Sequence, residues 1–561
     1  MQILKRTVLA LIASSIGFAI VSFTACTSTE TKKPQEPMPE IQLGSLHYVA
    51  EQFRREQEWP LNHGNKEAAP TACLAFSGGG IRSASFAVGV LKGLQNSRKL
   101  QQVDVISAVS GGGYALGWMY SLLHSSPSKQ LSDIFIDSEI DLLTHQSKFV
   151  GNGLAGFIAH TVTSPLQVLN NFLSYLDSNS KPHSATYETG LYGRAYADAI
   201  ADTFLGGKKD LRLADLAPLI HDKKVPLFIL NAAIVPEGTH SVDHILLAPA
   251  VEFTPLRNWG YSIGELADQS QLREYDFLWK FESWVNADIR RDVAYLHDAL
   301  SVSGSAVDFH RKNNFSNQAL NALGLSLGRR FALKLGASEG EYRFVYLVDG
   351  GFSENLGAVP LVQRRCSNIL IVDAEYDPNF HFGAYVKLKR LLRDEYRTAL
   401  NIPDLDALLN TKLVDSEKTG ELCAEQGCRI KQFTGSQPVF YGTALVPSGG
   451  YYNATSTPWK EFTWGETSLK VTYVKLSIEA ERLSQIQKNG LDDLYPAALS
   501  KYIASNKSAK CAPDQLYDCQ SPFPQKTTLN QIFTPEQMRA YIDLGEFTVQ
   551  HHLPKWNDES P

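Results

Sequence analysis

The sequence predicts an α/β fold of three layers, α/β/α, with a central, mostly parallel sheet and large helical insertions. Two consecutive segments carry this expectation. Residues 71–76, TACLAF, are a compact apolar run that ends in a glycine-rich turn and continues as SGGGIRSASFAVGVLKGL, with small and apolar residues at helical spacing. A second unit follows at once: VDVISAV (103–109), then SGGG, then YALGWMYSLLH. Two successive strand–turn–helix units imply parallel strands covered by helices, and ligands of such sheets bind beyond the carboxyl ends of the strands. Both glycine-rich turns fall at those ends.

Three more runs read as buried strands: PLFILNAAIV (226–235), FVYLVDGG ending the strand at Asp349, and NILIVDAEYD with Asp373 at the strand end. Long insertions separate them, at about 130–220 and 255–340. Residues 142–177 are apolar with helical periodicity, which fits helices packed on the core or a lid. Trp259, Trp279 and Trp284 lie among other aromatics in 256–286, a composition that suits either a core or a bilayer interface. KLKRLLRDEY (387–396) reads as a helix with a solvated charged face. Near the end, Thr534, Pro535 and Gln537 supply an N-cap, a first-turn proline and a capping-box residue for a final helix running to about Gln550.

The chain of 561 residues thus divides into a leader (1–26), a polar tether with a short approach helix (27–68), a core (69–390) with its inserted cap regions, and a C-terminal extension (391–561) packed on the core. Its net charge of −6 provides no basic face, so nucleic acid is not an expected partner. Lys5 and Arg6 precede an uncharged apolar run over residues 7–23, shorter than the roughly 20 residues of a membrane span, and together these read as a secretory signal. Small residues precede Cys26 and the polar tract TSTETKKPQEPMPE follows it. This resembles the lipobox of bacterial lipoproteins, although Phe23 stands where Leu is usual; the alternative is a conventional signal peptide with a chance cysteine. With Thr27 after Cys26, the lipoprotein resemblance implies a lipidated Cys26, an anchor in the outer membrane of a Gram-negative bacterium, and a protein facing the periplasm or cell surface.

Cysteine usage agrees with export. Of seven cysteines, Cys423 and Cys428 are close together, as are Cys511 and Cys519, and each pair can close a local disulfide in an oxidising compartment. CAEQGC lacks the paired CxxC knuckles of a zinc site, and no metal is expected. Cys73 and Cys366 fall in apolar runs and read as buried free thiols.

The chemistry concentrates in the turns. A serine hydroxyl needs a base and a place for the charge that forms on an attacked carbonyl. Ser110 stands at a sharp strand-to-helix turn with Gly111 and Gly112 after it, a variant of GxSxG in which Ala108 replaces the first glycine. Gly78, Gly79 and Gly80 open the first helix with backbone N–H groups that an anion can approach closely. The absence of GK[ST] and of GxGxxG argues against a nucleotide phosphate there. Asp349, with Gly350 and Gly351, supplies a carboxylate within reach of general-base chemistry.

SGGGIRSA, the serine turn and DGGFSENLGAVPL, in this order, resemble the patatin-like and cytosolic phospholipase A families of acyl hydrolases. PLFILNAAIV, VEFTPLRNWGY, VSGSA and VDAEYD extend the likeness over roughly residues 70–390. The resemblance implies a patatin-like fold and a Ser–Asp dyad with Ser110 as nucleophile and Asp349 as base. It also implies an oxyanion hole from the glycine loop (Gly78, Gly79, Gly80) and Gly111, and a substrate-phosphate or loop-holding role for Arg82. The expected substrate is a phospholipid or other acyl lipid at a membrane surface, with no cofactor. Three alternatives stand beside this reading. They are a Ser–His–Asp esterase using His381 or His551, transfer of the acyl group to an acceptor other than water, and a noncatalytic lipid-binding lipoprotein.

Overall fold

The computed structural model describes residues 70–145, 191–222, 225–235, 250–255, 258–260, 264–265, 295–306, 329–334, 342–378, 380–396, 398–409, 435, 437–446, 467–489, 495–505, 523–528, 531, 533–554 and 556–557. The leader, Cys26, the tether, most of 142–177, Trp279, Trp284 and the cysteine pairs Cys423/Cys428 and Cys511/Cys519 lie outside the described residues.

Twelve strands form one sheet: β1 (Ala72–Phe76), β2 (Val105–Val109), β3 (Leu227–Val235), β4 (Ala250–Phe253), β5 (Asn258–Gly260), β6 (Gly264–Glu265), β7 (Arg329–Lys334), β8 (Tyr342–Asp349), β9 (Asn368–Asp373), β10 (Ala399–Asn401), β11 (Val439–Val446) and β12 (Thr467–Lys475). Their order is β10-β11-β12-β9-β1-β2-β3-β4-β5-β6, with β8 on β3 and β7 on β8. The five central strands, β12-β9-β1-β2-β3, run parallel. Both flanks are antiparallel. Every residue of β1 and β2 is buried, as expected where helices cover both faces of a parallel sheet. The strands foreseen at 71–76, 103–109, 226–235, 344–349 and 368–373 are all present.

The glycine turns lead into α1 (Gly80–Asn96) and α2 (Gly111–Ser125). Further helices used below are α3 (Asp137–His145), α4 (Leu191–Phe204), α5 (Leu296–Ser303), α6 (Gly383–Tyr396) and α7 (Pro535–His552). The expected N-cap on α7 forms, with Thr534 Oγ1 accepting from the Gln537 N–H at 3.2 Å, whereas the Gln537 side chain accepts from Lys526 Nζ at 3.0 Å instead of closing a capping box. Helix α7 lies against α1 almost backbone to backbone, because a Cβ on Gly89 would strike the Ile542 carbonyl and one on Gly545 the Phe86 carbonyl. Among the described residues no helix is long and apolar enough to cross a membrane.

Four expectations need correction. The C-terminal extension does more than pack on the core: β10, β11 and β12 lengthen its sheet, and β12 runs parallel beside β9. The second insertion is not purely helical, since β5, β6 and β7 are antiparallel strands within it. Cys73 and Cys366 are not free thiols; they form a disulfide with Cα atoms 6.1 Å apart. Their 293-residue separation hid what the β1–β9 pairing makes plain, because Cys73 pairs with Ile369 and Cys366 sits just before that strand. Helix α6 is not merely a solvated charged face. Leu388 and Leu392 are fully buried, and Lys387 Nζ donates to the carbonyls of Gly351 and Phe352 at 3.2 and 2.9 Å.

Candidate active site

Strand register brings the two principal residues together. Val109, the last residue of β2, pairs with Asn231 of β3. One residue further along β3, Ala232 pairs with Asp349, the last residue of β8. Strand β4 occupies the other edge of β3 at Leu230–Ala233, so β2 and β8 share one edge of β3, with their carboxyl ends facing each other. Ser110 leaves the sheet where Asp349 arrives. The acid thus reaches the site on an antiparallel strand, an arrangement that local sequence does not reveal.

Ser110 has φ 51° and ψ −122°, a conformation that L-residues rarely adopt and that has to be held by its surroundings. Its amide donates to Ser303 Oγ at 2.8 Å, and Ser303 Oγ donates to Asn231 O at 2.7 Å. Asn231 Nδ2 in turn donates to Ser107 Oγ and Ala108 O, both at 2.9 Å, tying β3 to the strand that carries the serine.

Asp349 is 6% exposed, and its Oδ1 accepts from the Gly351 N–H at 2.8 Å. Burial pushes its carboxyl up to about 6; hydrogen bonds from Gly351 and the Ser110 side chain, and the charge of Lys387, pull the other way. Neighbouring Glu354 organises the turn after it, accepting from the N–H groups of Ala358 at 2.7 Å and Val359 at 3.4 Å. The motif DGGFSENLGAVPL therefore contains its own scaffold. Tyr114, one helical turn beyond Ser110, is fully buried and pairs its hydroxyl with that of Tyr196 on α4 at 2.5 Å. Burial raises the Tyr114 phenol well above its usual range.

The glycine loop lies beside the serine turn. An added Cβ on Gly111 would strike the backbone of Gly80, and one on Gly78 would come within 3.3 Å of Ser110 Cβ. Gly79 and Gly80 have φ 145° and 62°, which glycine adopts without steric cost. The four expected donors divide. The Gly78 N–H is engaged by Asn355 O at 2.9 Å and contributes closeness rather than a free donor. Gly80 and Gly111 are the first residues of α1 and α2, where backbone N–H groups have no intrahelical acceptor.

Arg82 does not reach outward as a phosphate ligand. It is 1% exposed, its Nε donates to Ala374 O at 3.0 Å and its Nη2 to Thr528 Oγ1 at 3.1 Å, and Nη1 bonds Lys526 O. Of the two roles implied for it, loop holding is the one its contacts match. Of the histidines in the alternative Ser–His–Asp reading, His551 pairs its Nδ1 with Phe547 O at 3.1 Å and stacks its ring on Phe547, and the His381 N–H donates to Asp377 Oδ1 at 2.7 Å. Among the described hydrogen bonds, none joins His381 or His551 to Ser110 or Asp349.

Beneath the loop lies a buried charge cluster at the end of β9. Lys475 Nζ, fully buried, is 2.8 Å from Asp373, 3.0 Å from Asp377 and 3.6 Å from Glu375. Burial and the charge of Asp373 push Glu375 up to about 7. Glu375 accepts from Asn355 Nδ2 at 3.3 Å, and Asn355 O accepts from Gly78, so the cluster is linked to the glycine loop. Ser303, Asn355 and Lys387 were not singled out from sequence. Ser303 falls in the VSGSA segment and Asn355 in the DGG motif, signals that marked the regions but not the roles.

An α/β/α sheet with a serine at a strand–helix elbow, a glycine loop on the neighbouring strand and a buried aspartate opposite defines the class of protein. The sequence matches the patatin-like phospholipase family over residues 74–362, more than half of the chain, and the protein belongs to this family. No curated protein matches it. Among solved structures, human GIVD cytosolic phospholipase A2 aligns with a TM-score of 0.44 at 13% identity, over 90% of this chain and 64% of that one. The same human protein in complex with methyl gamma-linolenyl fluorophosphonate aligns with a TM-score of 0.41 at 13% identity, over 91% and 60%. The complex of full-length SpcU with full-length ExoU from the type III secretion system of Pseudomonas aeruginosa aligns with a TM-score of 0.21 at 12% identity, over 94% and 86%. The chain thus spans less than two thirds of the human structures it matches.

Proposed function

We propose that this chain is a lipid acyl hydrolase, of phospholipase A or lysophospholipase type, acting through a Ser110–Asp349 dyad. The observation that carries the reading is the meeting of a strained serine turn with a buried carboxylate whose pKa is about 6, on facing strand ends. Burial makes Asp349 a stronger base than an ordinary aspartate while leaving it ionised at neutral pH. Membership of the patatin-like phospholipase family supports an acyl-lipid substrate.

In this reading Asp349 takes the Ser110 proton as Oγ bonds the ester carbonyl carbon and the carbonyl electron pair moves onto oxygen. The N–H groups of Gly79, Gly80 and Gly111 hold that oxyanion. Collapse breaks the ester bond, and the lyso-lipid oxygen leaves with the proton from Asp349. Water then gives its proton to Asp349 while its oxygen attacks the acyl-serine, and Ser110 recovers the proton as the fatty acid departs.

The test is labelling with a fluorophosphonate probe, combined with release of fatty acid from phospholipid vesicles. The parent is expected to label and to release fatty acid; Ser110→Ala and Asp349→Asn are expected to do neither. Labelling that persists in Ser110→Ala sinks the assignment. Adding an alcohol acceptor and analysing the products separates hydrolysis from acyl transfer.

The reading extends to location: an exported protein, lipidated at Cys26 and working at the outer membrane. Its support is the uncharged run of residues 7–23 and the polar tract after Cys26. Each buried CH2 of an anchor contributes about 0.8 kcal/mol. Incorporation of labelled palmitate into the parent but not into Cys26→Ala is the expected outcome, and equal incorporation refutes it.

A further inference from the structure

Helix α1 opens on Gly79, which has no side chain to cap it, so the N–H of Ile81 would be left without an acceptor. The missing acceptor comes from 450 residues away: Gln531 Oε1 accepts from Ile81 N–H at 2.9 Å. The other half of the same carboxamide donates from Nε2 to Thr528 O, and the whole group lies directly against Gly80. Arg82, in the same first turn, reaches the same strap through Lys526 O and Thr528 Oγ1. The first turn of α1 is therefore gripped twice, by Gln531 and by Lys526 with Thr528, residues that precede α7, itself packed on α1.

We propose that Gln531 is a positioning residue for the oxyanion hole, acting from the C-terminal strap through the N–H of Ile81. This rests on the acyl-hydrolase reading above. Ser77 and the Gly78 N–H tie the front of the loop, through Ala374 N–H and Asn355 O, but Gly79 and Gly80 have no side chains to fix them and sit at φ values that glycine leaves freely. An acceptor on Ile81 N–H anchors the residue next to Gly80 without occupying the N–H of Gly79 or Gly80 itself. A carboxamide suits this task better than a carboxylate: it accepts from Ile81 and donates to Thr528 without putting negative charge beside a forming oxyanion.

Two variants and two readouts test it. Gln531→Ala is expected to lower kcat and the fluorophosphonate labelling rate about tenfold with KM unchanged, less than the 10²–10³-fold loss of an oxyanion donor itself. Gln531→Glu keeps the acceptor for Ile81 but sets a carboxylate against Thr528 O, and is expected to lower the thermal midpoint and to label more slowly because of its charge. Amide exchange in residues 78–82 is expected to speed up in Gln531→Ala, whether or not the protein proves to be a hydrolase. Unchanged exchange there overturns the proposal. So does labelling of Gln531→Ala as fast as the parent, or faster, the latter making Gln531 a plug rather than a support. A parent that does not label at all, with exchange nonetheless accelerated, refutes the hydrolase reading and leaves the clamp on the loop demonstrated.

Discussion

The amide of Ser110 donates a 2.8 Å hydrogen bond to the side chain of Ser303, and both residues are buried. Because Ser303 Oγ also donates to Asn231 O, Ser303→Ala strands one donor and one acceptor inside the protein. Leaving such groups unpaired costs about 1–3 kcal/mol. Urea unfolding is expected to show a loss of that size, together with slower fluorophosphonate labelling; a midpoint equal to the parent's would remove Ser303 from this role.

The backbone of Ser110 itself stores strain. A non-glycine residue at φ 51°, ψ −122° costs on the order of 1–3 kcal/mol, which glycine avoids. Both Ser110→Gly and Ser110→Ala are expected to be inactive, but the glycine variant should unfold at higher denaturant than the alanine one. Identical midpoints would mean that the turn is relaxed in solution.

Asp349 links activity and stability to pH in opposite senses. As a base it must be ionised, so labelling is expected to rise with pH through a midpoint near 6. Its folded pKa is raised above the ordinary aspartate value, so the folded chain holds this proton more tightly than the unfolded one. The associated stability is fully present below about pH 4 and is lost as pH rises through about 6. At pH 8, Asp349→Asn is therefore expected to be inactive yet more stable than the parent by up to ~3 kcal/mol, with the two converging near pH 4. Equal stabilities at both pH values would contradict the raised pKa.

Lys387 supplies positive charge near that carboxylate and bonds the carbonyls of Gly351 and Phe352. Replacing it with methionine keeps the stem but removes the charge. The pH midpoint of labelling is expected to move upward from the parent's, and a downward move or none would show that Asp349 does not sense it.

The Cys73–Cys366 disulfide joins β1 to the segment before β9. Peptide mapping without reductant is expected to recover the linked pair. The double variant Cys73→Ala/Cys366→Ala should lose about 2–4 kcal/mol, within the usual range for a native bridge, measured by denaturant unfolding.

Much of the site was legible in the chain because its parts are local. Ser77–Gly78–Gly79–Gly80 and the serine turn at Ser110 each combine a β-rich run, a tight turn and a helix within about 20 residues, and such patterns depend on steric rules that act over short distances. The same holds for the Thr534 cap and for the strand ending at Asp349. The sequence by itself therefore determined the α/β class, four of the five central parallel strands (β1, β2, β3 and β9) and the family, and picked out Ser110, Asp349 and the glycine loop. Tertiary structure alone decided how they meet: β8 arrives antiparallel on the same edge of β3 that β2 leaves, bringing Asp349 to Ser110. It alone decided that Cys73 and Cys366 are bridged, that Lys387 faces the aspartate's turn, and that Arg82 and Gln531 bind the glycine loop to the C-terminal strap. These are contacts between side chains or strands far apart in sequence, and no local steric or periodic rule records which distant partner will satisfy a buried donor, acceptor or charge.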